Sequence, residues 1–126
     1  MSDKTNNIIE HPWGQEIVWA KEENYSGKIL VFPNKGACTP MIMHKNTDKS
    51  YFINSGKVKL RWIDTDNGQV YEQILGEGGV WHIPALKPSS LEAIEDNSFI
   101  SEVNNSSKEE DTLVILQTNS IVPGVK

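Results

Sequence analysis

Gly36-Ala37-Cys38-Thr39-Pro40-Met41-Ile42-Met43-His44, followed after a short polar break by Lys49-Ser50-Tyr51-Phe52-Ile53-Asn54-Ser55-Gly56, is the stretch that decides the fold. Neither half carries the i, i+3, i+4 spacing of a helix. Each is a short run that mixes apolar and polar residues and is bounded by turn residues, and successive side chains of a strand point to opposite faces. Both halves therefore read as strands.

The pattern continues on both sides. Strands are expected at Glu16 to Ala20, Gly27 to Phe32, Pro40 to His44, Ser50 to Asn54, Lys57 to Asp64, Gln69 to Leu75, Val80 to Ile83, Ser90 to Ile94, Ser98 to Asn104 and Thr112 to Gln117. The separators, among them Pro33 to Gly36, Asn54 to Gly56 and Gly76 to Gly79, hold residues that tolerate positive φ or bond their own backbone. Asp64 to Gly68, between two alternating runs, predicts a hairpin. So many short strands in one small chain mean a sandwich or barrel, because a single open sheet that wide leaves long unprotected edges. A helical turn is expected only near Ser107 to Asp111. Residues 1–11 and 119–126 read as a peripheral arm and tail on a single domain spanning 1–126.

A chain of 126 residues has room for one core. Its hydrophobic content of 37% is low for an isolated unit, so association through an apolar face, as a homodimer, is expected. Seventeen acidic against twelve basic residues give a formal charge of -5, the wrong sign for a phosphate backbone, so no nucleic-acid partner is expected. Cys38 is the only cysteine, which rules out an intrachain disulfide. The opening residues contain no apolar signal core and no window reaches the length of a membrane span, so a cytoplasmic protein with no membrane partner is expected.

Gly36 to Gly56 resembles the first signature of the cupin superfamily, G-x5-H-x-H-x(3,4)-E-x6-G, and Gly78-Gly79-Val80-Trp81-His82-Ile83-Pro84 with Ser89 resembles the second, G-x5-P-x-G-x2-H-x3-N. His11-Pro12-Trp13-Gly14 is similar to the R/K-P-W-G opening of the cupin domain in type II mannose-6-phosphate isomerases. The similarity covers roughly Pro12 to Asn104, and it implies an all-β, cupin-type double-stranded β-helix, a jelly-roll barrel.

The resemblance also implies a metal held by two histidines of one strand, a glutamate and a third histidine. Those positions fall here on Ile42, His44, Lys49 and Ser89, so a single ligand of the usual set remains. No metal or other cofactor is therefore expected. The register leaves one alternative, since counting forward from His44 lands on Asp48 and counting back from Gly56 lands on Lys49; with Asp48 inward, His44 and Asp48 would hold any metal.

What remains implied is a binding barrel for a small polar or anionic, carbohydrate-like ligand, contacted by His44, Lys49, Tyr51, Trp81 and Ser89. An inward Lys49 would need a carboxylate or an anionic ligand as its counter-charge. A second reading is catalytic: metal-independent sugar epimerases share this barrel and resemble a case in which His acts as base and Tyr as acid. His44 with Tyr51, or with Tyr71, would supply the pair, and Asp48, Glu72 or Glu92 would orient the imidazole. A third is a structural or regulatory dimer whose barrel is plugged by Ile42, Trp81 and Leu91. Trp13 reads as a lid or dimer contact, His82 as a surface residue, and the Lys57, Lys59, Arg61 alternation as a solvated face.

Overall fold

The computed structural model describes residues 7–105 and 111–116. Eleven strands run in chain order: β1 Ile8–His11, β2 Gly14–Lys21, β3 Ser26–Phe32, β4 Met41–His44, β5 Lys49–Ser55, β6 Lys57–Ile63, β7 Val70–Gly76, β8 Val80–Ile83, β9 Ser89–Ala93, β10 Ser98–Asn104 and β11 Thr112–Leu116. They form a six-stranded sheet, β1-β2-β3-β10-β5-β8, facing a five-stranded sheet, β11-β4-β9-β6-β7, and every strand pair is antiparallel. This is the expected jelly roll. No helix among the described residues is long and apolar enough to cross a membrane.

Alternation sets which residues enter the barrel. On β6, Val58 and Leu60 are fully buried and Trp62 is half-buried, while Lys57, Lys59 and Arg61 face solvent and pair with Glu95, Glu72 and Glu92. The register across β5 and β10 places Tyr51 beside Glu102 and Lys49 beside Asn104, with all of these on the inner face. The hairpin at Asp64 to Gly68 closes as expected, with the Gly68 amide donating to the Asp64 carbonyl at 2.7 Å.

The core occupies one end of the barrel. Phe32, Ile53, Val58, Leu60, Ile83, Leu91, Ala93 and Ile100 pack together there, each at most 2% exposed. Burial of this set, at roughly 1.5–3 kcal/mol for each large aliphatic or aromatic side chain, outweighs the other local terms. The other end of the barrel is open.

Two expectations change. Ile8 to His11 belong to the expected arm, yet they form β1, an edge strand registered on β2 from Ile8 against Ile17 to His11 against Gly14. A four-residue edge strand has too few residues to show a period of its own, so pairing supplies what the pattern lacks. Trp13 is 7% exposed and packs into the core between His11 and Phe32, which removes it from the surface where a lid or a dimer contact would sit. The expected helical turn lies outside the described residues except for Asp111, and so does the tail.

Candidate functional site

At its open end the barrel holds a cavity of about 410 Å³ between β2, β3, β5 and β10 on one side and β4 and β9 on the other. Trp13, Leu30, Tyr51 and Leu91 belong both to its lining and to the core, so they form its floor. One wall is ionic. Lys28 Nζ lies 3.4 Å from Glu16 Oε1 and 4.0 Å from Glu102 Oε2, and Asn104 Nδ2 donates to Glu102 Oε2 at 2.9 Å. Ser26 Oγ in turn donates to Asn104 Oδ1 at 2.7 Å, and His11 Nε2 approaches Glu16 Oε2 at 3.3 Å.

Lys49 stands apart from this network. It is 5% exposed, lines the cavity, and its Nζ lies 3.3 Å from His44 Nε2 and 5.5 Å from the centre of the Tyr51 ring. Among the described residues no carboxylate oxygen comes within 4.0 Å of it. An ammonium has no acceptor, so the His44 Nε2 facing it is the unprotonated nitrogen. His44 Nδ1 then carries the proton and donates to Thr112 Oγ1 at 3.0 Å.

Burial depresses the Lys49 pKa, against the opposing pull of Glu102 and Glu16. Burial, helped by the Lys49 charge, lowers His44 to about 4. Tyr51 is pushed well above the usual tyrosine range by burial and by Glu102. At neutral pH both His44 and Tyr51 are therefore held neutral.

The structure brings together His44, Lys49, Tyr51 and Ser89 among the residues named from sequence. Trp81 is not with them. It points between the sheets but away from the cavity, and packs on Trp62 at 4.9 Å, which itself stacks with Tyr71. The register question resolves toward Lys49: Asp48 is exposed, and its carboxylate accepts the Ala85 amide at 2.8 Å. Asp48 thus braces the loop after β8 and cannot join His44 at a metal.

None of the three carboxylates proposed to orient His44 does so. Asp48 caps a loop, while Glu72 and Glu92 pair with Arg61 on the outer face. Thr112 takes that place. Tyr71 lies outside the cavity, with its hydroxyl 3.4 Å from Asn67 Nδ2 in the β6–β7 hairpin. Ile42 and Leu91 line the cavity without filling it. His82 is on the surface, hydrogen-bonded to Ser50 Oγ at 2.7 Å.

Sequence reasoning missed Glu16, Lys28, Glu102 and Asn104. The available signal was the inward parity of β10, where Ser98, Ile100, Glu102 and Asn104 share one face. Asp111 holds the β4–β5 loop by accepting the Asn46 amide at 2.9 Å and the Thr47 hydroxyl, and the Thr47 bond is the main reason its pKa falls.

The donor set does not suit a metal ion. Only His44 is an imidazole ligand at the motif, its Nε2 faces an ammonium, and Ile42 offers no donor. Among the described residues no group of three or more His, Cys, Asp or Glu side chains is placed to hold one.

The cupin family model matches residues 16–125. In solved structures the chain is similar to oxalate decarboxylase from Bacillus subtilis, with 19% identity, a TM-score of 0.76, and coverage of 86% of this chain and 29% of that one. It is similar to KdgF from Halomonas sp., with 14% identity, a TM-score of 0.69, and coverage of 86% and 94%. It is also similar to the capsular polysaccharide assembling protein CapF from Staphylococcus aureus, at 14% identity, a TM-score of 0.75, and coverage of 86% and 34%. The chain spans about a third of the oxalate decarboxylase and CapF chains and nearly all of KdgF. Identities this low show a shared fold. No curated protein sequence matches the chain.

Proposed function

The chain belongs to the cupin family, and from that premise we propose that it binds a small, anionic, carbohydrate-like ligand in the open end of its barrel without a metal ion. The observation that carries the proposal is Lys49, buried and aimed into the cavity with no carboxylate within 4.0 Å among the described residues. Burying an unpaired ammonium costs several kcal/mol. An anionic group arriving about 4 Å away returns about 4 kcal/mol at an effective dielectric near 20.

The rest of the lining suits a ligand with hydroxyl groups beside its anion. Glu102, Asn104, Ser89 and Thr39 offer acceptors and donors, and Ile42, Leu91 and Trp13 offer apolar surface among them. A cavity of about 410 Å³ is in the lower part of the usual ligand-site range of about 300–1,000 Å³, which fits a monosaccharide-sized molecule. The resemblance of His11 to Gly14 to the isomerase opening adds support for a sugar phosphate.

A His–Tyr acid/base reaction receives less support. His44, at about 4, and Tyr51, raised well above its usual range, both stay neutral through the physiological range, where an acid/base pair needs values near the working pH.

Thermal-shift screening against sugar phosphates, nucleotide sugars and small organic acids tests the proposal. A ligand that binds only the folded chain stabilises it by about 2.7 kcal/mol at a hundred times its Kd. The expected result is a shift with a phosphorylated or carboxylated sugar that vanishes in Lys49→Met. No shift with any of the three classes would remove the proposal.

A further inference from the structure

Lys28 and Lys49 both line the cavity, and the chain holds them differently. Lys28 Nζ sits between two carboxylates, Glu16 at 3.4 Å and Glu102 at 4.0 Å. Lys49 Nζ has a single hydrogen-bond acceptor among the described residues, His44 Nε2 at 3.3 Å, and no carboxylate oxygen within 4.0 Å. An ammonium carries three N–H donors, so two of those on Lys49 are left to the cavity.

From this we propose that Lys49 is a nucleophile, whose amine condenses with a small aldehyde or ketone, such as the open-chain form of a sugar, to give an iminium held in the cavity. The ammonium first releases a proton to water. The amine lone pair then attacks the carbonyl carbon, which forms the C–N bond, and a proton passes from nitrogen to the former carbonyl oxygen. That hydroxyl takes back the proton released at the start and departs as water, while the nitrogen lone pair closes the C=N bond. Ammonium and carbonyl become iminium and water, with no change of oxidation state and no further reactant.

The surroundings suit the iminium better than the ammonium it replaces. Both carry one positive charge, so the Tyr51 ring, its centre 5.5 Å from Nζ, faces a cation before and after the step. The iminium keeps one N–H, and His44 Nε2 is in place to accept it. That acceptor is fixed, because His44 Nδ1 donates to Thr112 Oγ1 at 3.0 Å and leaves Nε2 without a proton. Condensation thus replaces the two N–H donors that the described residues leave without a partner by bonds to carbon.

Burial also prepares the amine. It lowers the Lys49 pKa, over the opposing pull of Glu102 on β10 and Glu16 on β2, so more of this amine is unprotonated at neutral pH than of an exposed lysine. The step shares its cavity with the anionic ligand but makes no use of the anion.

Trapping with sodium cyanoborohydride, which reduces an iminium to a stable secondary amine, tests the step on the full chain at neutral pH, with glyceraldehyde as an uncharged probe. Peptide mapping by mass spectrometry should find Lys49 labelled on the order of tenfold faster than the exposed Lys35 and Lys45, with the ion-paired Lys28 no faster than they are. Lys49→Met, checked as folded by circular dichroism, should lose the fast adduct. Lys49 labelled no faster than Lys35 in the unsubstituted chain overturns the proposal, and so does a fast adduct that persists in Lys49→Met. An adduct at Lys49 without a thermal shift from any anionic sugar would remove the anion and keep the nucleophile, and a thermal shift without the adduct would do the reverse.

Discussion

Lys49→Met should make the ligand-free protein more stable and abolish anion binding. Lys49 is 5% exposed, and the hydrogen bond it makes among the described residues is the 3.3 Å contact to His44 Nε2. Met has nearly the same length and fills the same channel. The substitution forfeits about 0.5–1.5 kcal/mol of hydrogen bonding but removes a desolvation penalty of several kcal/mol. Glu102 is not stranded by the change, because Lys28 and Asn104 still hold it. A net gain of about 1–3 kcal/mol follows, or roughly 3–10 °C in Tm for a domain of this size.

The sign of the pH dependence gives an internal control. The folded pKa of Lys49 is lowered from 10.5, so between that folded value and 10.5 the unfolded chain holds a proton that the folded chain lacks. Stability of the unsubstituted protein must then rise with pH across this window. The penalty is fully present below the folded value and gone above 10.5, and Lys49→Met should lack the rise. Urea denaturation at several pH values measures both effects. A variant destabilised by a kcal/mol or more would refute the reasoning, since Lys49 would then be part of the scaffold rather than a charge awaiting a ligand.

His44 should titrate near 4 by NMR and move up toward 6.5 in Lys49→Met, because the Lys49 charge is the second cause of its depression after burial. Its folded value lies below its unfolded one, so stability should fall as pH drops from 6.5 to 4, by about 1–2 kcal/mol once its partial exposure is allowed for, and His44→Gln should flatten that slope. Untagged protein should carry no stoichiometric Fe, Mn, Ni or Zn, and a chelator should leave its Tm unchanged, since His44 stands without companion ligands; stoichiometric metal lost together with stability would contradict this.

The parts of the fold that depend on local pattern were legible in the sequence. The Lys57 to Ile63 run sorts its own residues in and out of the barrel, and Asp64 to Gly68 carries its turn in its composition. What needs pairing was not. β1 exists because β2 offers it an edge, and β2 itself shifts register between Val18 and Ala20, so a strict count of two fails there. The site was half legible for the same reason. The motif located His44, Lys49 and Ser89, but it is silent on β3 and β10, which supply Lys28, Glu102 and Asn104. Trp81 has the inward parity expected of it, but parity does not fix the position along the barrel, and an aromatic neighbour at Trp62 draws it to the far side.

Charges turned inward surround the cavity and cost stability, and the Lys49–His44 pair shows that the cost is not fully offset among the described residues. The core layer of Phe32, Ile53, Leu60, Leu91 and Ile100 carries that deficit until an anion arrives beside Lys49.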